Sequence, residues 1–248
     1  MTETAENWTE SASRRLVRTG FGTIPVVIAG ADSPAGTVLL VHGRNGAPGQ
    51  AQIAEIADAY LSRGWRVVAP ELPNSIALPD SGPADQVRFS THTKAAGAVW
   101  DWLCDEFSDE RLALAGHSIG AYAIAHLAAG STRADHVLAV SPPMSGMVLL
   151  RAREAMGPAA IKAVIAEAPL FHAEMTSADA SDALGRITAP LGVVTGASDG
   201  LVPLKDARAY FNAAPDGRFF AAIPDEHHCP AGPRCAAMLA AALSALGA

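Results

Sequence analysis

Short apolar runs alternate along the chain with segments in which apolar residues recur at helical spacing. Two early runs, residues 15–18 and 24–29, flank Gly20-Phe21-Gly22 and predict an antiparallel pair of strands. Six further runs predict strands at residues 37–41, 66–69, 112–115, 136–140, 191–194 and 219–223. Helices are predicted at residues 50–62, 92–107, 119–129 and 204–213, with a terminal helix at 234–246. This alternation predicts an α/β fold with a doubly wound, mostly parallel sheet covered by helices on both faces.

The interval between the strands at 136–140 and 191–194 is longer than a single crossover needs. Residues 158–166 have a helical pattern, and Pro158 suits a first helical position. We interpret residues 142–188 as a small helical insertion, or cap, over the functional edge of the sheet, within one domain that spans residues 1–248. An ordinary crossover helix with a long surface loop is the alternative.

Composition narrows the classes of partner. The chain has 248 residues, half of them hydrophobic, and a formal net charge of -7, which suits one large buried core and argues against nucleic acid or an anionic membrane. Residues 1–7 lack the layout of a signal peptide, and no segment is long and apolar enough to span a bilayer, so we expect a cytoplasmic protein. The apolar terminal helix or the insertion could support a homodimer.

The three cysteines also fit a reducing compartment, because their odd number forms no evident disulfide framework. His227-His228-Cys229 and Cys235 match no common zinc spacing. We therefore expect no metal site.

A candidate nucleophile lies between the strand at 112–115 and the helix at 119–129. The pentapeptide there is Gly116-His117-Ser118-Ile119-Gly120, a G-x-S-x-G pattern. In a sharp strand-to-helix turn of this kind the serine is strained and exposed at the carboxyl edge of the sheet, and the glycines avoid collisions with the neighbouring chain. The strand before the motif and the helix after it favour a nucleophilic role for Ser118 over that of an ordinary turn serine.

A serine hydroxyl needs a base to accept its proton and an acid to orient that base. Asp199 follows the strand at 191–194 among small residues and is the predicted acid; Asp225 lies too close to the base in sequence for this role. Two adjacent histidines follow the last strand. We prefer His228 as the base because the longer loop lets its ring return towards Ser118, and His227 stays the alternative.

Negative charge that develops on a substrate carbonyl oxygen requires preorganised donors. The backbone N–H of Ile119, at a helix N-terminus, is the first candidate. The second is the N–H of Arg44, in the His42-Gly43 loop after an early strand, with Asn45 as its alternative.

Candidate substrate-binding residues are less well defined. His117 is adjacent to the nucleophile and is predicted to line the pocket rather than to act as base. Met144 and Met147, with neighbouring leucines and residues 76–79, could form an apolar pocket, although such residues are as often part of the core.

With the His42-Gly43 loop, the Ser118 elbow, Asp199 and His228 in this order, the chain resembles the α/β-hydrolase superfamily over essentially its whole length. The segment Val68-Ala69-Pro70-Glu71-Leu72-Pro73 and the small insertion look most like small serine esterases and dienelactone-hydrolase-like members. The latter carry a nucleophilic cysteine, and haloalkane dehalogenases and epoxide hydrolases an aspartate, where this chain has Ser118.

The resemblance implies hydrolysis of a carboxylic ester of a small or medium-sized molecule through an acyl-enzyme, with no metal or organic cofactor. The same machinery serves lactonases, thioesterases and amidases, and also acyltransferases and perhydrolases. A non-catalytic binding protein of this fold is the alternative from a different class.

Overall fold

One sheet of eight strands organises the computed structural model, which describes residues 7–20 and 22–248. Along the sheet the strands lie in the order β1-β2-β4-β3-β5-β6-β7-β8, and the first two pairs are antiparallel whereas all others are parallel. Their bounds are β1 Ser13–Thr19, β2 Gly22–Ala29, β3 Thr37–Val41, β4 Arg66–Pro70, β5 Leu112–His117, β6 Ala134–Val140, β7 Leu191–Gly196 and β8 Gly217–Ile223.

Helices cover both faces of this sheet. On one face lie α1 Ala51–Leu61 and α9 Pro233–Leu246; on the other lie α2 Phe89–Glu106, α3 Ile119–Ala129 and α8 Leu204–Ala213. Successive residues of the central strands enter the two cores in turn: Val38 and Leu40 pack with α1 and α9, whereas Leu39 and Val41 pack with α2 and α3. Burial on both faces explains why these strands are continuous apolar runs rather than alternating ones.

Most of the predicted elements are present, with small differences at their ends. The doubly wound sheet is confirmed, and the opening strands pair antiparallel as expected. Helix α2 begins at Phe89, three residues before its predicted start. Two parts of the sequence lie outside the described residues. They are Phe21, in the predicted connection between the first two strands, and residues 1–6, which belong to the N-terminal segment without a signal-peptide pattern.

The largest difference lies between β6 and β7, where one predicted helix becomes four. They are α4 Gly146–Met156, α5 Pro158–Glu167, α6 Pro169–Glu174 and α7 Ser181–Leu184. Proline at the start of α5 and of α6 ends the preceding helical turn and supplies a fixed φ for the next. That this segment acts as a cap within a single domain stays a prediction. Across the residues described, no helix combines the length and apolarity needed to cross a membrane.

Candidate active site

Ser118 occupies a strained turn between β5 and α3. Its backbone has φ 56 and ψ -126, a conformation that residues other than glycine rarely adopt. A Cβ on Gly116 would lie 2.6 Å from the backbone carbon of Gly120, and one on Gly120 would overlap the carbonyl oxygen of Val41. The two glycines of the motif are therefore needed for α3 to pack this closely against β3 and β5.

His228 bridges Ser118 and Asp199. Its Nε2 lies 2.8 Å from Ser118 Oγ and its Nδ1 lies 2.9 Å from Asp199 Oδ2. A carboxylate can only accept hydrogen bonds, so Nδ1 carries the proton in this arrangement and Nε2 accepts from the Ser118 hydroxyl. The structure thus brings together the three side chains that the sequence predicts as nucleophile, acid and base.

The Asp199 carboxylate is fully buried and held by more than the histidine. Its Oδ1 accepts the backbone N–H groups of Leu201 and Val202 at 2.8 and 2.9 Å. Burial raises the pKa of this carboxyl, but the hydrogen bond and charge of His228 and the two backbone donors outweigh it, and the net pKa lies below the ordinary value. Asp199 is therefore set up to stay ionised and to hold the His228 ring in one orientation.

The two alternative residues in this region lie elsewhere. His227 is exposed, and its Nδ1 is 2.9 Å from the carbonyl oxygen of Ser198, so its ring is directed away from Ser118. Asp225 is also exposed and lies 3.6 Å from Arg234. Of the two adjacent histidines, His228 is therefore the one in contact with Ser118.

Backbone N–H groups without a partner in the described part of the chain occur in the segments next to Ser118. Ile119 is the first residue of α3, where N–H groups have no partner within the helix. Gly43 is so close that a Cβ there would lie 3.2 Å from Ser118 Cβ. Among the described residues, the N–H groups of Arg44 and Asn45 also have no hydrogen-bond partner. Both predicted donors are thus available, and Arg44 and Asn45 are not separated by this criterion.

Two buried histidines hold the loop that carries these donors. His42 Nε2 accepts the N–H of Leu72 at 3.1 Å, so its Nδ1 is the protonated nitrogen and donates to the Gly43 carbonyl at 2.7 Å. His92 Nε2 donates to the His42 carbonyl at 2.9 Å. Burial lowers the pKa of His42 to about 4, and burial and the adjacent His42 lower the pKa of His92 to about 3. Both rings are therefore neutral near pH 7.

Sequence reasoning missed this part played by His92. Nothing in its local sequence distinguishes it from a core histidine, because its partner is a backbone carbonyl fifty residues away. The one available signal is its position at the start of a helix that packs under the His42-Gly43 loop.

His117 contacts the backbone of the candidate base. Its Nε2 lies 2.8 Å from the His228 carbonyl and must be the donor, while its buried Nδ1 has no partner among the described residues. Burial and the proximity of His228 lower the pKa of His117 to about 3. The ring also lines the cavity beside Ser118, as predicted for a pocket residue, but its visible hydrogen bond holds the His228 loop.

A cavity of about 200 Å³ opens beside Ser118, and we call it the Ser118 cavity. Most of the residues that line it have polar or charged side chains. The lining comprises Gly43, Arg44, Asn45, Gly46, Gln50, Gln52, His117, Ser118, Arg153, Leu201, His228 and Cys229.

Met144 and Met147, predicted to bind substrate, are not among the residues of this wall. Met144 is partly buried against the hydrophobic core, and Ile76 is exposed. Leu78 and Pro79 line a separate cavity near Arg14. These residues therefore do not line the Ser118 cavity, and a role for the two methionines in substrate binding stays a prediction.

Arg153, on α4, lines the Ser118 cavity and was not singled out from the sequence. Arg44 and Asn45 both contact Glu167 Oε1, at 2.6 and 2.9 Å, and so connect the His42-Gly43 loop to α5. Among the described residues no group of three or more His, Cys, Asp or Glu side chains could hold a metal ion.

Comparison with known proteins identifies the family of this chain and several solved structures with the same fold. Residues 36–159 match the model of the α/β hydrolase fold family. No curated protein matches the chain. Three similar solved structures are DcsB in complex with its substrate analogue, Est1E from Butyrivibrio proteoclasticus, and XC6422 from Xanthomonas campestris, described as a serine hydrolase without a lid.

These three structures share the fold of this chain at low sequence identity. DcsB has a TM-score of 0.75 at 17% identity, covering 96% of this chain and 98% of its own. Est1E has 0.73 at 14%, with 95% and 99% covered, and XC6422 has 0.65 at 17%, with 95% and 91% covered. At such identities the likeness concerns the fold alone.

Proposed function

Because the chain belongs to the α/β-hydrolase family, we propose that it is a serine hydrolase that cleaves a carboxylic ester of a small or medium-sized substrate. The observation that carries the proposal is the continuous hydrogen-bonded chain from Ser118 through His228 to Asp199. Chains of this kind turn a weakly nucleophilic hydroxyl into an effective nucleophile on several unrelated folds. That it occurs here on a strained elbow, beside free backbone donors, adds to the support.

In the proposed reaction, Ser118 Oγ attacks the ester carbonyl carbon while His228 Nε2 accepts the hydroxyl proton. The N–H groups of Ile119 and Arg44 stabilise the negative charge on the carbonyl oxygen. When the tetrahedral intermediate collapses, the C–O bond to the alcohol breaks and His228 returns its proton to the leaving oxygen. An acyl-enzyme on Ser118 remains.

Deacylation repeats these steps with water. His228 removes a proton from the water as it attacks the acyl carbon, and then gives that proton back to Ser118 Oγ as the carboxylic acid leaves. Asp199 keeps its charge throughout, and its buried carboxylate stabilises the histidine when it is protonated.

The proposed size of the substrate follows from the Ser118 cavity. Its volume of about 200 Å³ lies below the range of roughly 300–1,000 Å³ that is usual for ligand pockets. Its walls carry Gln50, Gln52, Arg44 and Arg153, with Leu201 as the aliphatic contribution. A small, polar substrate fits this lining better than a long acyl chain.

Relatives of the same fold include enzymes described as esterases. One structure holds ferulic acid bound to Est1E, and another is the esterase domain of a Rhodothermus marinus protein. These descriptions belong to those proteins, and they favour ester hydrolysis among the reactions of this fold. The dienelactone-hydrolase-like subtype, a homodimer and a cytoplasmic location remain predictions.

Covalent labelling tests the proposal directly. A fluorophosphonate probe should modify the native protein once, and Ser118→Ala should abolish the labelling because its target oxygen is gone. The same two proteins should then be assayed on short-chain and long-chain esters, lactones, thioesters and amides. We expect the highest kcat/KM on a short ester; equal labelling of both proteins, or equal turnover by both, would refute the serine mechanism.

A further inference from the structure

Two arginines, Arg44 and Arg153, line the Ser118 cavity, and within the described residues only Arg44 is paired with a carboxylate. Arg44 forms a 2.6 Å ion pair with Glu167, and the side chain of Asn45 donates to the same Glu167 oxygen. Arg153 also lines the cavity, and its pKa responds to the charges of both Arg44 and Glu167, so the three ionic groups form one cluster. Two positive charges and one negative charge leave this cluster with a net positive charge.

Arg153 is the member of the cluster without an ionic partner. Its one hydrogen bond runs from a guanidinium nitrogen to the carbonyl of Leu149, 3.1 Å away on the same helix. No carboxylate lies within 4.0 Å of it in residues 7–20 and 22–248. Burial, and the nearby charge of Arg44, lower its pKa below the ordinary arginine value. Most of its N–H donors are therefore unused in a partly buried position that penalises an unpaired charge.

Arg153 differs in its surroundings from the other arginines of the described residues that form no ion pair. Those are exposed, apart from Arg63, which donates to Ala240, Ser244 and Ala248. The protein as a whole carries a net charge of -7, and several other arginines, such as Arg14, Arg66 and Arg111, pair with a carboxylate at 2.6–2.9 Å. An unpaired positive group in a cavity creates a local positive electrostatic potential, even in a protein with a net negative charge. This potential favours the binding of an anion in the cavity. A planar guanidinium matches the two oxygens of a carboxylate particularly well.

We propose that the substrate of the Ser118 site carries a free carboxylate that Arg153 binds, so that Arg153 determines specificity for an anionic ester. The proposal rests on the proposed ester hydrolysis and adds the chemical class of the substrate. Since Ser118 and Arg153 line the same cavity of about 200 Å³, a short spacer separates the carboxylate from the ester carbonyl. Arg44 is already paired with Glu167. Arg153 is therefore the guanidinium whose charge the carboxylate of the substrate neutralises.

Paired esters test the proposal. Mono-p-nitrophenyl glutarate is compared with the neutral p-nitrophenyl pentanoate, and 3-carboxyphenyl butyrate with phenyl butyrate, so that the carboxylate lies on the acyl or on the alcohol side. In the wild-type protein, we expect kcat/KM to be higher for the anionic member of at least one pair. In Arg153→Gln this ratio should fall by about 10- to 100-fold, the effect of losing hydrogen bonds to a charged group.

Two further variants distinguish binding of the carboxylate by Arg153 from a non-specific effect of changing an arginine on α4. Arg151→Gln removes an exposed arginine two residues away on α4, outside the Ser118 cavity, and should leave the ratio unchanged. Arg153→Lys keeps the charge but loses the planar fork, and should retain part of the preference. A wild-type protein that prefers the neutral ester in both pairs, or a ratio that Arg153→Gln does not change, would overturn the proposal.

A binding measurement keeps this test independent of turnover. If the wild-type protein cleaves none of the esters, the proposed function fails, and calorimetry of monomethyl glutarate binding to Ser118→Ala decides the anion site. Binding that weakens at least tenfold when Arg153→Gln is added supports the site. Absence of binding to Ser118→Ala, or equal binding by both proteins, overturns it.

Discussion

The carboxyl edge of the sheet and the helical segment between β6 and β7 both contribute residues to the Ser118 cavity, but some of their polar side chains differ in their partners. At the sheet edge, Asp199, His42, His92 and His228 all have hydrogen-bond partners within the chain. In the helical segment, Arg153 has no carboxylate partner in the part of the chain described. Hydrogen bonds within the chain hold the four side chains at the sheet edge in place without a ligand. An unpaired group is available to a ligand. We therefore expect changes at the sheet edge to alter the reaction itself and changes at Arg153 to alter the choice of substrate.

The largest expected effect comes from breaking the hydrogen-bonded chain at the sheet edge. His228→Ala should lower kcat for a reactive p-nitrophenyl ester by about 10⁴- to 10⁶-fold, because Ser118 then loses the group that accepts its proton. Steady-state kinetics on the purified variant measures this loss.

His227→Ala is the matched control, since the two rings are adjacent in sequence but His227 is exposed and its ring is hydrogen-bonded to the Ser198 carbonyl. We expect its kcat to fall by less than about tenfold, the effect of losing one neutral hydrogen bond. Similar losses in both variants would mean that the observed contact does not identify the base.

The same division separates what the sequence could predict from what it could not. The elbow at Ser118 was predictable because its requirements are local: a strand, a strained residue, two glycines without room for a side chain, and a helix. Asp199 and His228 followed from their places after β7 and β8. Each of these positions is set by an element whose apolar pattern is readable.

Arg153 was not predictable because its place at the cavity depends on how four short helices pack, and only one of them had a clear pattern. Met144 and Met147 were proposed from their apolar character, yet apolar residues in that segment also serve the core, and Met144 does so here. His92 depends on a contact across fifty residues, which no local pattern encodes.

Acid should destabilise the fold, because three histidines at the carboxyl edge of the sheet are buried in the neutral form. The folded-state pKa values of His42, His92 and His117 lie at about 4, 3 and 3, below the unfolded value near 6.5. Between these limits the unfolded chain binds more protons, so the free energy of unfolding falls as the pH falls below 6.5. At pH 5 the loss is roughly 2 kcal/mol for each histidine.

Urea unfolding at pH 7.5 and pH 5.0 measures this loss. His92→Gln can keep a donor near the His42 carbonyl without a group that titrates, so its stability should depend less steeply on pH than that of the wild-type protein. An equal free energy of unfolding at both pH values would contradict the assignment of neutral, buried rings.

The next largest expected difference is in stability, between an alanine substitution of a glycine at the sheet edge and one of a glycine in the helical segment. Gly120→Ala places a methyl group against the backbone oxygen of Val41, which cannot rotate away, so we expect a loss of about 1–3 kcal/mol or more and a lower kcat. Gly185, after α7, has ordinary α-helical angles and room for a Cβ. Gly185→Ala should be neutral or stabilise by about 0.4–1 kcal/mol. Thermal unfolding compares the two, and equal destabilisation would show that the elbow is no tighter than the helical segment.

The smallest expected effect comes from cutting the ion pair that connects the two regions. Glu167→Gln removes the partner of Arg44 from a side chain that is 34% exposed, so the stability cost should be about 0.2–1 kcal/mol. Glu106→Gln is a close control, because Glu106 is also 34% exposed and pairs with Arg15 at 2.6 Å, away from the site. Thermal unfolding should therefore shift similarly in the two variants.

Catalysis should nevertheless separate these two variants. Glu167→Gln leaves both Arg44 and Arg153 without a carboxylate, which adds positive charge at the Ser118 cavity. The ratio of kcat/KM for mono-p-nitrophenyl glutarate to that for p-nitrophenyl pentanoate should then rise by about two- to fivefold, whereas Glu106→Gln should not change it. A ratio that falls in Glu167→Gln would mean that Glu167 supports the anion site by positioning Arg44, and that charge at the cavity is the weaker of its two effects.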